Sequence, residues 1–206
     1  MALLAQDATA RISAAIQAVE QTTDAELVTI LARKADNYYY IPTLWAALMA
    51  MATPLVLIFS PFWLEPLDIF LAQSVVFVLF AGLGRIPAVT AKLIPRAIRF
   101  YRAQNLARRQ FLEQNLHRTD KAMGVLIFVS EMEHFVEILA DQGVSAHVDD
   151  SQWQTIVDEF THHVSTGEVE RGFLRAVEQC GALLQQVAPA TSAKDELPNH
   201  LVLLDD

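Results

Sequence analysis

A run of 28 residues without a charged side chain, residues 37–64, constrains this chain more than any other feature. As a helix with a rise of 1.5 Å per residue it would reach roughly 42 Å, which exceeds the ~30 Å hydrocarbon core of a bilayer. A second apolar stretch, Ile69 to Gly84, follows after a short connection. The two stretches predict a transmembrane helical hairpin with spans at about residues 41–63 and 67–89. The alternative is a pair of buried core helices in a soluble, α-rich protein.

The charges around this hairpin predict its orientation. Arg33 and Lys34 precede the first span, whereas the connection between the spans contains no Lys or Arg. Seven basic residues follow the second apolar stretch, Ile69 to Gly84: Arg85, Lys92, Arg96, Arg99, Arg102, Arg108 and Arg109. The positive-inside rule therefore places both flanks in the cytoplasm of a multi-pass protein of the bacterial inner (plasma) membrane, where the basic residues face anionic lipid headgroups.

Composition limits the remaining function classes. The net charge of −9 argues against general binding to nucleic acid. Cys180 is the one cysteine, so no disulfide can form within the chain, which suits a reducing compartment. The N-terminal sequence MALLAQDATARI lacks the basic and apolar regions of a cleavable signal peptide.

The flanks of the hairpin have the periodicities of an α/β fold. Before the hairpin we predict a helix over Ala8–Gln21 and a strand over Glu26–Ala32. After it we predict a helix over Pro95–Leu112, strands over Gly124–Ser130 and His134–Asp141, and helices from about Ser151 to Val164 and from about Glu168 to Val187. In the helix over Pro95–Leu112, the predicted apolar face comprises Ala97, Phe100, Tyr101, Ala107 and Phe111.

These elements predict a small α/β sandwich, a short β-sheet with flanking helices, which a two-helix transmembrane hairpin interrupts after the first strand. Each flank alone is too small for a stable core, so residues 1–38 and 93–190 must fold together. Residues 39–92 form the hairpin in this interpretation. The tail, residues 191–206, is expected to be extended or loosely docked.

Three segments carry a resemblance to a known family: RISAAIQAVEQTTDAELVTILA, HRTDKAMGVLIFVSEMEHFVEILADQGVSAHVDD and STGEVERGFLRAVEQCGALLQ. They resemble the TPM domain, and in particular a bacterial subfamily of uncharacterised membrane proteins in which a transmembrane hairpin interrupts that domain. The resemblance to plant members implies a metal-dependent phosphatase. Those relatives commonly have Gly-x-Gly-Leu-Glu and then Asp after the central strands. Here Gly143 and Asp150 match, but Asp141 and Ser145 replace the first glycine and the glutamate, which weakens the case for that activity.

The candidate site is the acidic loop, which contains Asp141, Asp149 and Asp150. Its carboxylates could bind a hard cation such as calcium or magnesium, with Asp141 and Asp150 as the metal pair. Alternatively they cap the helix that starts near Ser151, and Asp149 with Gln152 has capping-box spacing. Both interpretations stay open at this point.

Other candidate groups point away from catalysis. His162 and His163 are adjacent on a helix, about 100° apart, and cannot chelate one ion together. Cys180 lies on an apolar helix face, which favours a buried, inert thiol. The sequence lacks the familiar phosphate-loop, nucleophile-elbow and zinc-protease motifs. The set that comes nearest to a phosphatase site is Asp141 and Asp150 with Arg118 as the positive group for a phosphate.

The sequence therefore favours an interaction or regulatory module for membrane proteins, anchored in the lipid bilayer and facing the cytoplasm. Its partner would be another membrane protein. An acidic-loop phosphatase is the alternative, and the sequence does not decide whether the chain is an enzyme.

Overall fold

The computed structural model describes residues 4–61, 63–86, 89, 93–191 and 201–204. Its elements in chain order are α1 (Gln6–Glu20), β1 (Glu26–Ala32), α2 (Tyr40–Ile58), α3 (Pro66–Leu83), α4 (Arg96–Glu113), two short 3-10 turns (Leu116–Arg118 and Asp120–Ala122), β2 (Gly124–Ser130), β3 (Phe135–Ala140), α5 (Gln142–Ser145), α6 (Asp150–Ser165), α7 (Val169–Val187) and β4 (Leu201–Leu204). The chain divides into two compact units, one of residues 1–35 and 100–206 and one of residues 36–99.

A four-stranded sheet in the order β3-β2-β1-β4 organises the first unit. β1 runs parallel to both β2 and β4, and β2 and β3 form an antiparallel hairpin. β1 and β2 are buried at every position, as expected for central strands rich in β-branched and other apolar residues. The predicted α/β fold with a short sheet and flanking helices is confirmed.

Alternate residues of the central strands supply two separate cores. Leu27, Leu31 and Ile127 point to the side covered by α1, α6 and α7. Val28 and Phe128 point to the opposite side, where Ala103 and Ala107 of α4 cover them. The period-2 alternation of a strand thus lets one apolar sequence bury both of its faces.

The predicted apolar face of α4 is partly wrong. The buried positions are Ala103, Ala107 and Gln110, whereas Tyr101 is 62% exposed. Phe100 lies at the margin, where its ring centroid is 5.7 Å from that of Phe135. Positions 103, 107 and 110 follow each other at helical spacing of four and three, and this stripe of small and polar residues fits closely against the sheet.

The C-terminal tail was predicted to be extended or loosely docked, and its described part is extended. Leu201–Leu204 forms β4, which pairs in parallel with Thr29–Ala32 at the edge of the sheet. Leu201 is buried in the core beside α1. Residues 192–200 of the tail lie outside the described part of the chain.

The second unit contains α2 and α3, which pack against each other and are long and apolar enough to cross a membrane. α3 begins with Pro66 and a capping box in which the Glu65 backbone N–H donates to Asp68 Oδ2 at 3.0 Å. At its other end Gly84 faces Pro42, and a Cβ added to Gly84 would lie 2.3 Å from the Cβ of Pro42. That close approach requires a glycine.

Candidate functional site

The acidic loop lies at the end of the sheet where β1 and β2 begin. Asp141 follows β3 directly, and its backbone N–H donates to the Gly124 carbonyl at 2.9 Å. The loop then turns through α5, where a Cβ on Gly143 would lie 2.3 Å from the Lys121 carbonyl oxygen. Gly143 is therefore needed for the close approach of two backbone segments, which accounts structurally for the glycine that matches the TPM pattern.

Asp141 makes one capping bond and leaves one oxygen without a partner. Its Oδ1 accepts from the Gln142 backbone N–H at 2.8 Å at the start of α5. Its Oδ2 is shielded from solvent and has no hydrogen-bond partner among the described residues. This oxygen is the one feature of the loop that a helix cap does not explain.

Asp149 and Asp150 differ in role. Asp149 is the N-cap of α6 and forms the predicted capping box with Gln152, whose Oε1 accepts from the Asp149 backbone N–H at 3.2 Å. Asp150 is the first residue of α6 and is exposed. Within the described residues no group of three or more His, Cys, Asp or Glu side chains converges in the way that would hold a metal ion.

His163 and His147 lie within hydrogen-bond distance of neighbouring groups, and Cys180 is buried. His163 Nδ1 lies 3.0 Å from Glu168 Oε2, and this hydrogen bond lowers the pKa of Glu168. His147 Nδ1 lies 3.0 Å from the carbonyl oxygen of Gly143. Cys180 is fully buried, and burial raises the pKa of its thiol to about 12, so the thiol stays protonated at neutral pH. Arg118 is exposed in the first 3-10 turn.

A larger concave site lies at the opposite end of the sheet, where β1 and β2 end. In open α/β sheets the carboxyl ends of parallel strands are the usual location of ligand sites. This groove, between β3 and the end of α6, has a volume of about 550 Å³, within the range of about 300 to 1,000 Å³ typical of ligand pockets. Its lining residues are Leu31, Val129, Ser130, Glu131, His134, Phe135, Val136, Thr161, Val164, Ser165 and Val169.

The floor of this β3–α6 groove is apolar. Its polar groups come from the end of β2 and the β2–β3 turn (Ser130, Glu131 and His134) and from α6 (Thr161 and Ser165). Burial raises the pKa of Glu131, and the positive charge of Arg33 opposes part of that rise. The backbone of His134 has a positive φ of 51°. Glu133 is buried, accepts from the Ser130 hydroxyl, and accepts from the Ala35 backbone N–H at 3.0 Å, so it ties the end of β2 to the segment after β1.

Sequence reasoning missed the β3–α6 groove. The segment EMEH after the buried run GVLIFVS was a usable signal, because polar residues directly after a parallel strand lie at its carboxyl end. Recognising them required knowing that β1 and β2 are parallel neighbours. The apolar side of the groove comes from α6 and α7, far along the chain.

Comparison with known proteins agrees with this fold. Residues 89–183 match the family model described as the TPM domain. This part of the chain is similar to the TPM domain. The matched range includes α4, β2, β3 and the helices α5 and α6, together with most of α7.

An NMR structure of the BA42 protein from the psychrophilic bacterium Bizionia argentinensis is similar to this chain, with a TM-score of 0.62. The similarity covers 98% of this chain and 96% of that chain at 17% sequence identity, so it concerns the TPM fold alone. Among curated proteins, none matches the sequence.

The capping box makes a direct prediction. Asp149→Ala should lower the free energy of unfolding by about 0.5 to 2 kcal/mol, because the first turn of α6 loses its side-chain acceptor. Asp149→Asn is the matched variant and should keep most of the stability, since Asn is an equally good N-cap. Urea unfolding of the detergent-solubilised chain measures both. Equal destabilisation by Ala and Asn would show that the charge, and not the cap, is what matters.

Proposed function

We propose that this protein is a membrane-anchored module whose TPM domain faces the cytoplasm and binds other membrane proteins. The observation that carries the anchoring is the exposure of the two apolar helices. No residue of α3 is buried within the protein, and Val75 and Val78 are 65% and 69% exposed. A core helix of a soluble protein would bury such side chains, and so large an apolar surface is stable where lipid covers it.

Orientation rests on charge. The seven basic residues after the second apolar stretch and the absence of Lys and Arg from the connection support cytoplasmic flanks at the bacterial inner membrane. The same basic residues suit contact with anionic headgroups on that side.

The β3–α6 groove supports the interaction role. A groove that is apolar at its floor, with polar groups from the β2–β3 turn and from α6, suits a largely apolar segment of another protein. β3 is the outer strand of the sheet as described, and its residues Phe135 and Val136 line the groove. We assign the groove as the docking site for the partner.

Anchoring and orientation can be measured together. In spheroplasts and inverted inner-membrane vesicles, the chain should resist alkaline carbonate extraction, because its apolar helices are held in lipid. Protease should digest the TPM domain only in inverted vesicles. Release by carbonate would contradict the anchoring, and digestion in intact spheroplasts would contradict the orientation alone.

The docking site is tested by blocking the groove from its rim. Ser165→Arg adds a long charged side chain to an exposed lining position and should reduce partner recovery at least tenfold in affinity capture from mild detergent at native expression. Thr155→Arg is the control, since Thr155 is exposed on the same helix outside the groove. Equal recovery with both variants would show that the groove does not bind the partner. Recovery of no specific partner with the unmodified chain would contradict the binding role.

A second candidate function, a metal-dependent phosphatase, is favoured by the unpartnered Oδ2 of Asp141 alone. A divalent cation bound by Asp141 and Asp150 would supply Lewis-acid stabilisation to a phosphoryl group. Arg118 would be the candidate positive group to meet the phosphate.

This second function predicts that millimolar calcium or magnesium raises the melting temperature, because the ion binds only the folded state. Asp141→Asn should abolish the rise while it keeps the α5 cap, and Asp149→Asn should leave the rise intact. Differential scanning fluorimetry in detergent measures the shift, and hydrolysis of a generic phosphomonoester measures activity. Melting curves that neither ion moves would eliminate this function.

A further inference from the structure

The polar side chains of the apolar hairpin fall into two groups. The hydroxyls bond back to their own helix: Thr43 donates to the Tyr39 carbonyl at 2.8 Å, Thr53 to Met49 at 2.9 Å, and Ser74 to Phe70 at 2.9 Å. Such bonds satisfy a hydroxyl group inside a helix without any outside partner. These three hydroxyls therefore need no hydrogen-bond partner outside their own helix.

Gln73 differs from them. Its amide, with two donor hydrogens and one acceptor oxygen, makes no hydrogen bond with any residue that the structure describes. It lies near the middle of α3, about 10 Å from the start of a helix about 27 Å long. An amide at that depth in hydrocarbon has no water to bond, and leaving it unpaired costs several kcal/mol.

Gln73 also lines a groove along the hairpin, of about 390 Å³. The lining residues are Ala47, Ala50 and Met51 of α2 and Phe70, Gln73, Ser74, Phe77 and Val78 of α3. Ala47, Ala50 and Ser74 are small, so the backbone of another helix can approach closely at this point. The groove therefore combines a shape that accepts a helix with an amide that needs a partner.

We propose that this groove is the contact surface between two copies of the chain, which associate in the membrane through Gln73. The proposal rests on the proposed function, because it requires the hairpin to lie in a bilayer. An amide is self-complementary, with a donor and an acceptor on one planar group, so two Gln73 side chains related by a two-fold axis satisfy each other. A second copy necessarily presents this amide at the matching depth.

Other molecules that could occupy the groove pair less well with the Gln73 amide. A lipid acyl chain fills apolar space but offers no donor or acceptor to the amide. The helix of a different protein would need its own polar side chain at the same depth. The two-copy contact needs no further component.

Energy transfer between labelled copies in liposomes tests the association. The substitution Leu64→Cys, in the connection between α2 and α3, provides a single site for the dye, because Cys180 is buried and does not react. Diluting the protein with phosphatidylglycerol-containing phosphatidylcholine vesicles gives the apparent dissociation constant. Carbonate extraction of each variant first verifies insertion, so failed anchoring is recognised separately from failed association.

The expected result is transfer that falls as lipid is added and a dissociation constant that rises about 3- to 30-fold in Gln73→Leu. This range corresponds to about 0.6 to 2 kcal/mol, the strength of hydrogen bonds between helices in membranes. Gln73→Asn keeps an amide and should retain more association than Gln73→Leu. Val75→Leu, outside the groove lining on the same helix, should match the unmodified chain.

Two results would overturn the proposal while leaving the anchoring intact. One is an inserted protein that shows no transfer between copies at any protein-to-lipid ratio. The other is an inserted Gln73→Leu variant that associates as strongly as the unmodified chain. Release of the unmodified chain by carbonate would instead refute the membrane anchor and, with it, this contact.

Discussion

The parallel pairing of β1 with β2 is the contact on which the rest of the structure depends. Seven residues of each strand pair in register, from Glu26 with Gly124 to Ala32 with Ser130. β1 precedes the apolar hairpin and β2 follows it, so both ends of the hairpin are attached to one sheet. A hairpin that starts and finishes at the same folded unit can cross a bilayer only an even number of times. Strand pairing therefore supports the proposed placement of both flanks on one side of the membrane, independently of the charges.

Local patterns were sufficient for much of this fold. β1 and β2 have the predicted bounds, because β1 is rich in β-branched residues and β2 is a nearly continuous apolar run. The antiparallel β2–β3 pairing follows from the short link between the two runs, which leaves little alternative geometry. The Asp149–Gln152 capping box was visible as a spacing of three residues. All of these features depend on residues close together in the sequence.

The features that the sequence did not reveal depend on distant residues. Leu201–Leu204 is too short to stand out as a strand, and it becomes one only because β1 offers a free edge beside it. The buried stripe of α4 was misassigned because Phe100 and Tyr101 are large and apolar, whereas the sheet selects the small side chains that fit against it. The β3–α6 groove is formed by strand ends and a helix that only the complete topology brings together.

The place of β1 in the sheet also governs the order of events during synthesis. β1 is made before both apolar helices, whereas its neighbours β2 and β4 are made only after them. At roughly 5 to 20 residues per second, β1 waits for seconds with an apolar sequence and no partner strand. The hairpin is thus available for insertion into the bilayer before the sheet exists. In the proposed membrane-anchored state, the hairpin keeps the two ends of the domain near each other, and this offsets part of the loop-closure entropy of so distant a pairing.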